Sequence, residues 1–80
     1  MQVATFYTQL GALEFWETLQ ALGDESAQML PAPRKLSVSC GTAVRFSRPF
    51  RPEELENRDL EAVYREEPGN GFSLIWEQEA

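Results

Sequence analysis

Breakers divide this 80-residue chain into short pieces. Pro31, Pro33, Pro49, Pro52 and Pro68 fall between its apolar stretches, with Gly23, Gly41, Gly69 and Gly71 interspersed. Proline has no N–H to donate to a ladder and fixes its own φ, so it closes a strand or opens a helix rather than sitting inside either. Each piece is one strand or one helix long. A chain of this size has room for a single domain.

Val3 to Tyr7 is β-branched and aromatic and reads as a first strand, with Ala4 and Phe6 on one face and Val3, Thr5 and Tyr7 on the other. Thr8 can cap the helix that follows. Ala12, Phe15, Trp16, Leu19 and Leu22 recur at helical spacing, and Gly23 ends the helix. Ser26 to Leu30 is a weaker second strand, closed by the prolines. Thr42 to Ser47 alternates, with Val44 and Phe46 opposite Ala43 and Arg45, and is the third strand. Arg51-Pro52-Glu53-Glu54 resembles a helix start, and Leu55, Leu60, Ala62 and Val63 suggest an apolar stripe running to about Glu67. Pro68-Gly69-Asn70-Gly71 is a turn, and Phe72 to Trp76 a fourth strand with Phe72, Leu74 and Trp76 on one face. The order β-α-β-β-α-β predicts a ferredoxin-like α+β domain over residues 1–80. In it, a four-stranded antiparallel sheet carries both helices on one face. The other face is left open, and Val3, Tyr7 and Ile75 there suggest self-association or a ligand shelf.

About a quarter of the residues are Leu, Ile, Val or Phe, above the ~20% below which charged chains tend to stay disordered. The net charge of -6 argues against binding a phosphate backbone, so nucleic acid is not an expected partner. No apolar run is long enough to span a membrane, and the N-terminus has no basic, apolar leader pattern. The single cysteine, Cys40, cannot form an internal disulfide, which points to the reducing cytoplasm. There is no histidine. That removes His-based triads and dyads and every His-ligated metal site, so no metal or cofactor is expected. A conventional enzyme is correspondingly disfavoured.

The net charge hides an asymmetry. Arg34, Lys35, Arg45, Arg48 and Arg51 lie in a stretch, residues 26–51, that contains no acid, and both flanks are acidic. Within it, the connection from Pro31 to Gly41 is far longer than the 2–5 residues of an ordinary hairpin loop. It contains Pro31, Pro33, Arg34, Lys35, Ser37, Ser39, Cys40 and Gly41. Prolines stiffen a loop, and a glycine lets the backbone turn or approach a ligand. Positive charge and hydrogen-bond donors favour a thiolate, the nucleophilic form of cysteine. Arg34, Lys35 and Arg45 are the cations expected to act on Cys40, Ser37 and Ser39 the hydroxyls. The opposing reading is a small, buried, inert thiol packed beside Val44 and Phe46.

The run Leu30-Pro-Ala-Pro-Arg-Lys-Leu-Ser-Val-Ser-Cys-Gly-Thr-Ala-Val-Arg-Phe46 closely resembles the signature of the putative selenium/sulfur carrier protein-like family, small bacterial proteins with Pro-x-Pro-Arg, then Ser-x-Ser-Cys-Gly, then a strand ending in Arg-Phe. The resemblance covers roughly residues 3–64. It implies a carrier role in which Cys40 holds sulfur or selenium as a persulfide or selenopersulfide. Pro31, Pro33 and Arg34 then shape and charge the loop, and Gly41 opens the backbone beside the thiol. It also implies donor and acceptor proteins as partners. Another group of small sulfur-transfer proteins carries its cysteine before the prolines, in a Cys-Pro-x-Pro motif; here Cys40 follows them. The alternative function is a non-enzymatic interaction or regulatory module that dimerises through its open sheet face and keeps Cys40 as a structural residue.

Overall fold

The computed structural model describes residues 1–36 and 39–79. Its elements run β1 (Gln2–Phe6), α1 (Gln9–Ala21), β2 (Gln28–Pro31), β3 (Thr42–Phe46), β4 (Leu60–Glu67) and β5 (Gly71–Glu77). They form one five-stranded sheet in the order β2-β3-β1-β4-β5, with every neighbouring pair antiparallel.

The first half follows the sequence pattern. β1 and β2 flank β3, and α1 connects them. The Thr8 side chain accepts from Gly11 N–H at 3.0 Å and so caps α1. At the other end Gly23, at φ +88°, donates to Gln20 O, and Asp24 donates to Leu19 O. This is a Schellman closure, which needs the left-handed residue that glycine supplies. The helix buries Gly11, Ala12, Phe15 and Leu19. Phe15 packs edge-on between Phe6 and Phe46, with ring centroids 5.2 and 5.5 Å away. Trp16 is partly buried and donates from Nε1 to Ala27 O at 3.1 Å, whereas Leu22 is exposed.

The second half overturns the ferredoxin-like expectation. Among the described residues there is one helix and there are five strands, not two helices and four strands. Arg51 to Leu55 does make a single helical turn, with Glu54 and Leu55 N–H both donating to Arg51 O. The turn does not propagate. Asn57 Oδ1 accepts from Asp59 N–H, and Asn57 Nδ2 donates to Gly11 O, so this side chain serves backbone groups in a non-helical conformation. The rest of the stretch assigned to the second helix, Leu60–Glu67, is instead β4. Its helical look comes from a bulge: Thr5 pairs with Ala62 and Phe6 with Leu60, leaving Glu61 extra. Leu60 and Val63 thereby share the helix-side face at a spacing of three, which is helical spacing without a helix.

A second irregularity lies between β4 and β5. Val63 pairs with Trp76 and Tyr64 with Leu74, so Ile75 is extra. It shifts the alternation. Trp76 joins the helix-side core, 5.5 Å from the Phe50 ring, while Phe72 packs on the other face, contrary to the single face expected for both.

That other face is not open in its centre. The chain after β2 crosses it and buries Leu36 against Val3 and Ala43, with Ala32, Tyr64 and Phe72 around them. Of the apolar residues expected on an open face, Val3 is therefore covered within the chain, and Tyr7 and Ile75 are exposed. No helix among the described residues is long and apolar enough to cross a membrane.

Candidate functional site

Cys40 lies just before β3, at the end of the sheet where β1 finishes. Two backbone bonds hold this segment. Cys40 N–H donates to Phe6 O at 3.3 Å, and Ala32 N–H donates to Gly41 O at 2.9 Å. They place Cys40 beside the β1–α1 junction, next in space to Phe6 although 34 residues away in the chain. The side chain is half-buried against the helix-side core. Its Sγ is 3.5 Å from Thr42 O, within reach of a weak S–H···O bond. The Thr42 hydroxyl, Oγ1, accepts from Gln9 Nε2 at 3.5 Å.

Ser39 is exposed and clasped by one carboxylate. Its N–H donates to Glu61 Oε1 at 3.2 Å and its hydroxyl to Oε2 at 2.9 Å. Glu61 is the bulged residue of β4, and the bulge aims its side chain at the loop. Sequence reasoning missed Glu61, because no local pattern marks a residue 22 positions away as the partner of Ser39. Nearby Tyr64 is pushed above the usual phenol range by burial first, and then by the charges of Glu61 and Glu77. The charged group bonded to the cysteine segment is therefore an acid.

The expected cations are directed elsewhere. Arg45 Nε lies 2.7 Å from Glu66 Oε1. In the β3 alternation it shares the face of Ala43, opposite the core on which Cys40 packs. Lys35 Nζ donates to Asn70 O at 2.7 Å, in the β4–β5 turn. Arg34 is exposed and lines a cavity beside that same turn. Among the described residues none of the three bonds to Cys40 or Ser39. Pro31 is the last residue of edge strand β2, paired with Thr42, and Pro33 O accepts from Leu36 N–H at 3.1 Å. Gly41 has a φ outside the left-handed region, and a Cβ there would meet nothing within 4 Å, so the backbone beside Cys40 stands open. Ser37 lies outside the described residues.

The arrangement offers a tethered, half-exposed thiol with an open backbone on one side and a clasped serine on the other. Among the described residues no three His, Cys, Asp or Glu side chains are grouped to hold a metal ion. A cavity of about 560 Å³ lies between the 50–58 segment and Trp76, and its lining, which includes Leu55 and Leu60, contains none of these loop residues.

The chain matches the model of the family described as "Putative Se/S carrier protein-like" over residues 2–62, from β1 through the loop and β3 into β4. No curated protein and no solved structure matches it.

Proposed function

Because the chain belongs to the Se/S carrier protein-like family, we propose that it carries sulfur or selenium on Cys40. The observation that supports this most directly is the half-exposed thiol, held by backbone bonds at the end of the sheet with open space at Gly41. A carrier thiol must be reached by two partners in turn, and fixing its backbone keeps it in one presentation for both. In the loading step, the Cys40 thiolate attacks the outer sulfur of a donor persulfide. A new S–S bond forms at Cys40, the donor S–S bond breaks, and the donor sulfur leaves as thiolate. An acceptor thiolate reverses these roles on the Cys40 persulfide. Neither step consumes an oxidant or reductant. For selenium, the outer atom transferred is selenium and the bonds made and broken are S–Se.

The packing of Cys40 against the helix-side core is what a structural thiol would also show. The discriminating experiment is incubation of the native protein with a low-molecular-weight persulfide donor, followed by intact-mass measurement. A gain of one sulfur atom, absent in Cys40→Ser and removed by an acceptor thiol, is the expected result. A native protein that neither gains sulfur nor reacts with a thiol reagent until it is denatured refutes the carrier reading and leaves Cys40 a core residue.

A further inference from the structure

Arg34 and Lys35, which have no bond to the cysteine, are the two central residues of a tight turn closed by Leu36 N–H to Pro33 O at 3.1 Å. The turn is anchored on both sides. Leu36 is buried on Val3 and Ala43, and Lys35 Nζ reaches Asn70 O at 2.7 Å. Between the turn and the β4–β5 hairpin is a cavity of about 300 Å³, lined by Arg34, Lys35, Glu66, Glu67, Asn70 and Phe72 among others.

Two cations and two acids line it, yet their charges do not cancel one another. Glu66 is taken by Arg45 at 2.7 Å and Glu67 by Arg65 at 2.9 Å. The Arg65 hydrogen bond is the main reason that Glu67 is held below the usual carboxylate range. Among the described residues Lys35 bonds only a neutral carbonyl and Arg34 has no ion-pair or hydrogen-bond partner. Among the described residues the cavity thus has two uncompensated positive charges, on a protein of net charge -6. Elsewhere the negative field opposes anion binding, so any anion held must be held locally. A guanidinium presents a planar fork that matches an oxyanion, and an ammonium adds a point charge beside it. Phe72, half-buried, gives the cavity an apolar wall.

We propose that this cavity binds a compact tetrahedral oxyanion, free or as the terminal group of an organic monoester. The site is separate from the thiol. Glu61, which clasps the cysteine segment, and Glu66, which lines the cavity, are five residues apart on β4, roughly 16 Å at ~3.3 Å per residue.

The test is an amide NMR titration of the full chain with inorganic phosphate and, separately, phenyl phosphate, with ionic strength held constant by chloride. Expected are saturable shifts centred on Arg34, Lys35, Asn70, Gly71 and Phe72, at millimolar concentrations. Tighter binding of phenyl phosphate identifies the monoester as the preferred form; equal or weaker binding identifies the free ion. Arg34→Gln and Lys35→Gln should each weaken binding at least fivefold. Cys40→Ser should bind as the parent does. Arg65→Gln is the sharpest arm: Arg65 does not line the cavity, but its loss frees the Glu67 carboxylate and should weaken binding severalfold. Failure to saturate below about 50 mM, shifts centred on Arg48 and Arg51, or unchanged binding by Arg34→Gln overturns the proposal. None of these outcomes bears on whether Cys40 carries sulfur.

Discussion

Replacing Asp24 by Asn should cost this protein about 2 kcal/mol at neutral pH, through an acceptor that ties two loops together. The Asp24 carboxylate accepts five hydrogen bonds: from Ser26 N–H and Oγ, from Ser47 N–H and Oγ, and from Arg48 N–H, at 2.5 to 3.1 Å. They join the α1–β2 connection to the chain leaving β3. Burial alone would raise its pKa, but these bonds, led by Ser26 and the Arg48 amide, outweigh burial and lower it from 3.8 to about 2. At ~1.4 kcal/mol per pKa unit, that shift corresponds to about 2–2.5 kcal/mol. Because the folded-state value is depressed, the contribution is complete above about pH 4 and disappears as pH falls toward 2. Asparagine keeps one acceptor and puts an NH2 donor against amide donors, so the variant lacks the contribution at every pH. For a domain this small, whose whole stability is roughly 4–12 kcal/mol, that is a large share. It corresponds to a Tm lower by roughly 8–16 °C. Denaturant unfolding of both proteins from pH 7 to pH 2 checks this. The difference should be near 2 kcal/mol at pH 7 and close between pH 4 and pH 2, with contributions from other carboxylates cancelling. Equal stability at pH 7, or a difference that stays constant down to pH 2, refutes the reasoning.

Gly11→Ala should destabilise by ~1–3 kcal/mol, although alanine is the better helix former by ~0.8–1 kcal/mol, because a Cβ there would sit 2.5 Å from Asp59 Cβ; a stabilised variant in denaturant unfolding would remove the close approach of α1 to the 57–59 segment. Glu61→Ala should release Ser39 and raise the alkylation rate of native Cys40 severalfold, since exposed hydrogen bonds worth ~0.5–1.5 kcal/mol hold the loop down; an unchanged rate would show that the clasp does not govern access to the thiol.

Alternation and capping were readable wherever a strand or helix keeps its ideal period. Ala4 and Phe6 face α1, Val44 and Phe46 do the same, and Thr8 and Gly23 bound the helix as their chemistry predicts. Reading failed where one inserted residue breaks the period. Glu61 and Ile75 each add a residue to one strand of a pair, and each moves the apolar positions after it to the other face. Nothing in the composition of Leu60-Glu61-Ala62-Val63 separates a bulged strand from a turn of helix. The site shows the same division. The cysteine's place before β3 was readable, and so was half of the answer about Arg45. Its parity with Ala43, against Val44 and Phe46, already assigns it to the face away from the core that Cys40 touches. The direction of Arg34 and Lys35 was not readable, because it depends on Leu36 plugging the far face, a contact with residues in β1 and β3.

One short helix cannot cover five strands, and α1 packs mainly on β1, β2 and β3. The remaining cover is irregular chain. On the helix side, Phe50 and Leu55 from the 47–59 segment close the core over β4 and β5, the place a second helix would take. On the other side, the 31–41 connection does it through Leu36. Irregular chain has no ladder to hold it, so its polar backbone groups must be met one by one. Side chains do much of this. Gln2 bonds Arg48 O and Phe50 N–H, Asp24 gathers the amides at 26, 47 and 48, Asn57 joins Gly11 O to the Asp59 amide, and Glu61 takes the Ser39 amide. Substitutions at Gln2, Asp24 and Asn57, whose bonds are part-buried, therefore act on the fold more as core changes do than as surface changes do. Glu61 is the one whose bond lies beside the thiol, so it can alter the presentation of Cys40 while α1 and its core stay as they are.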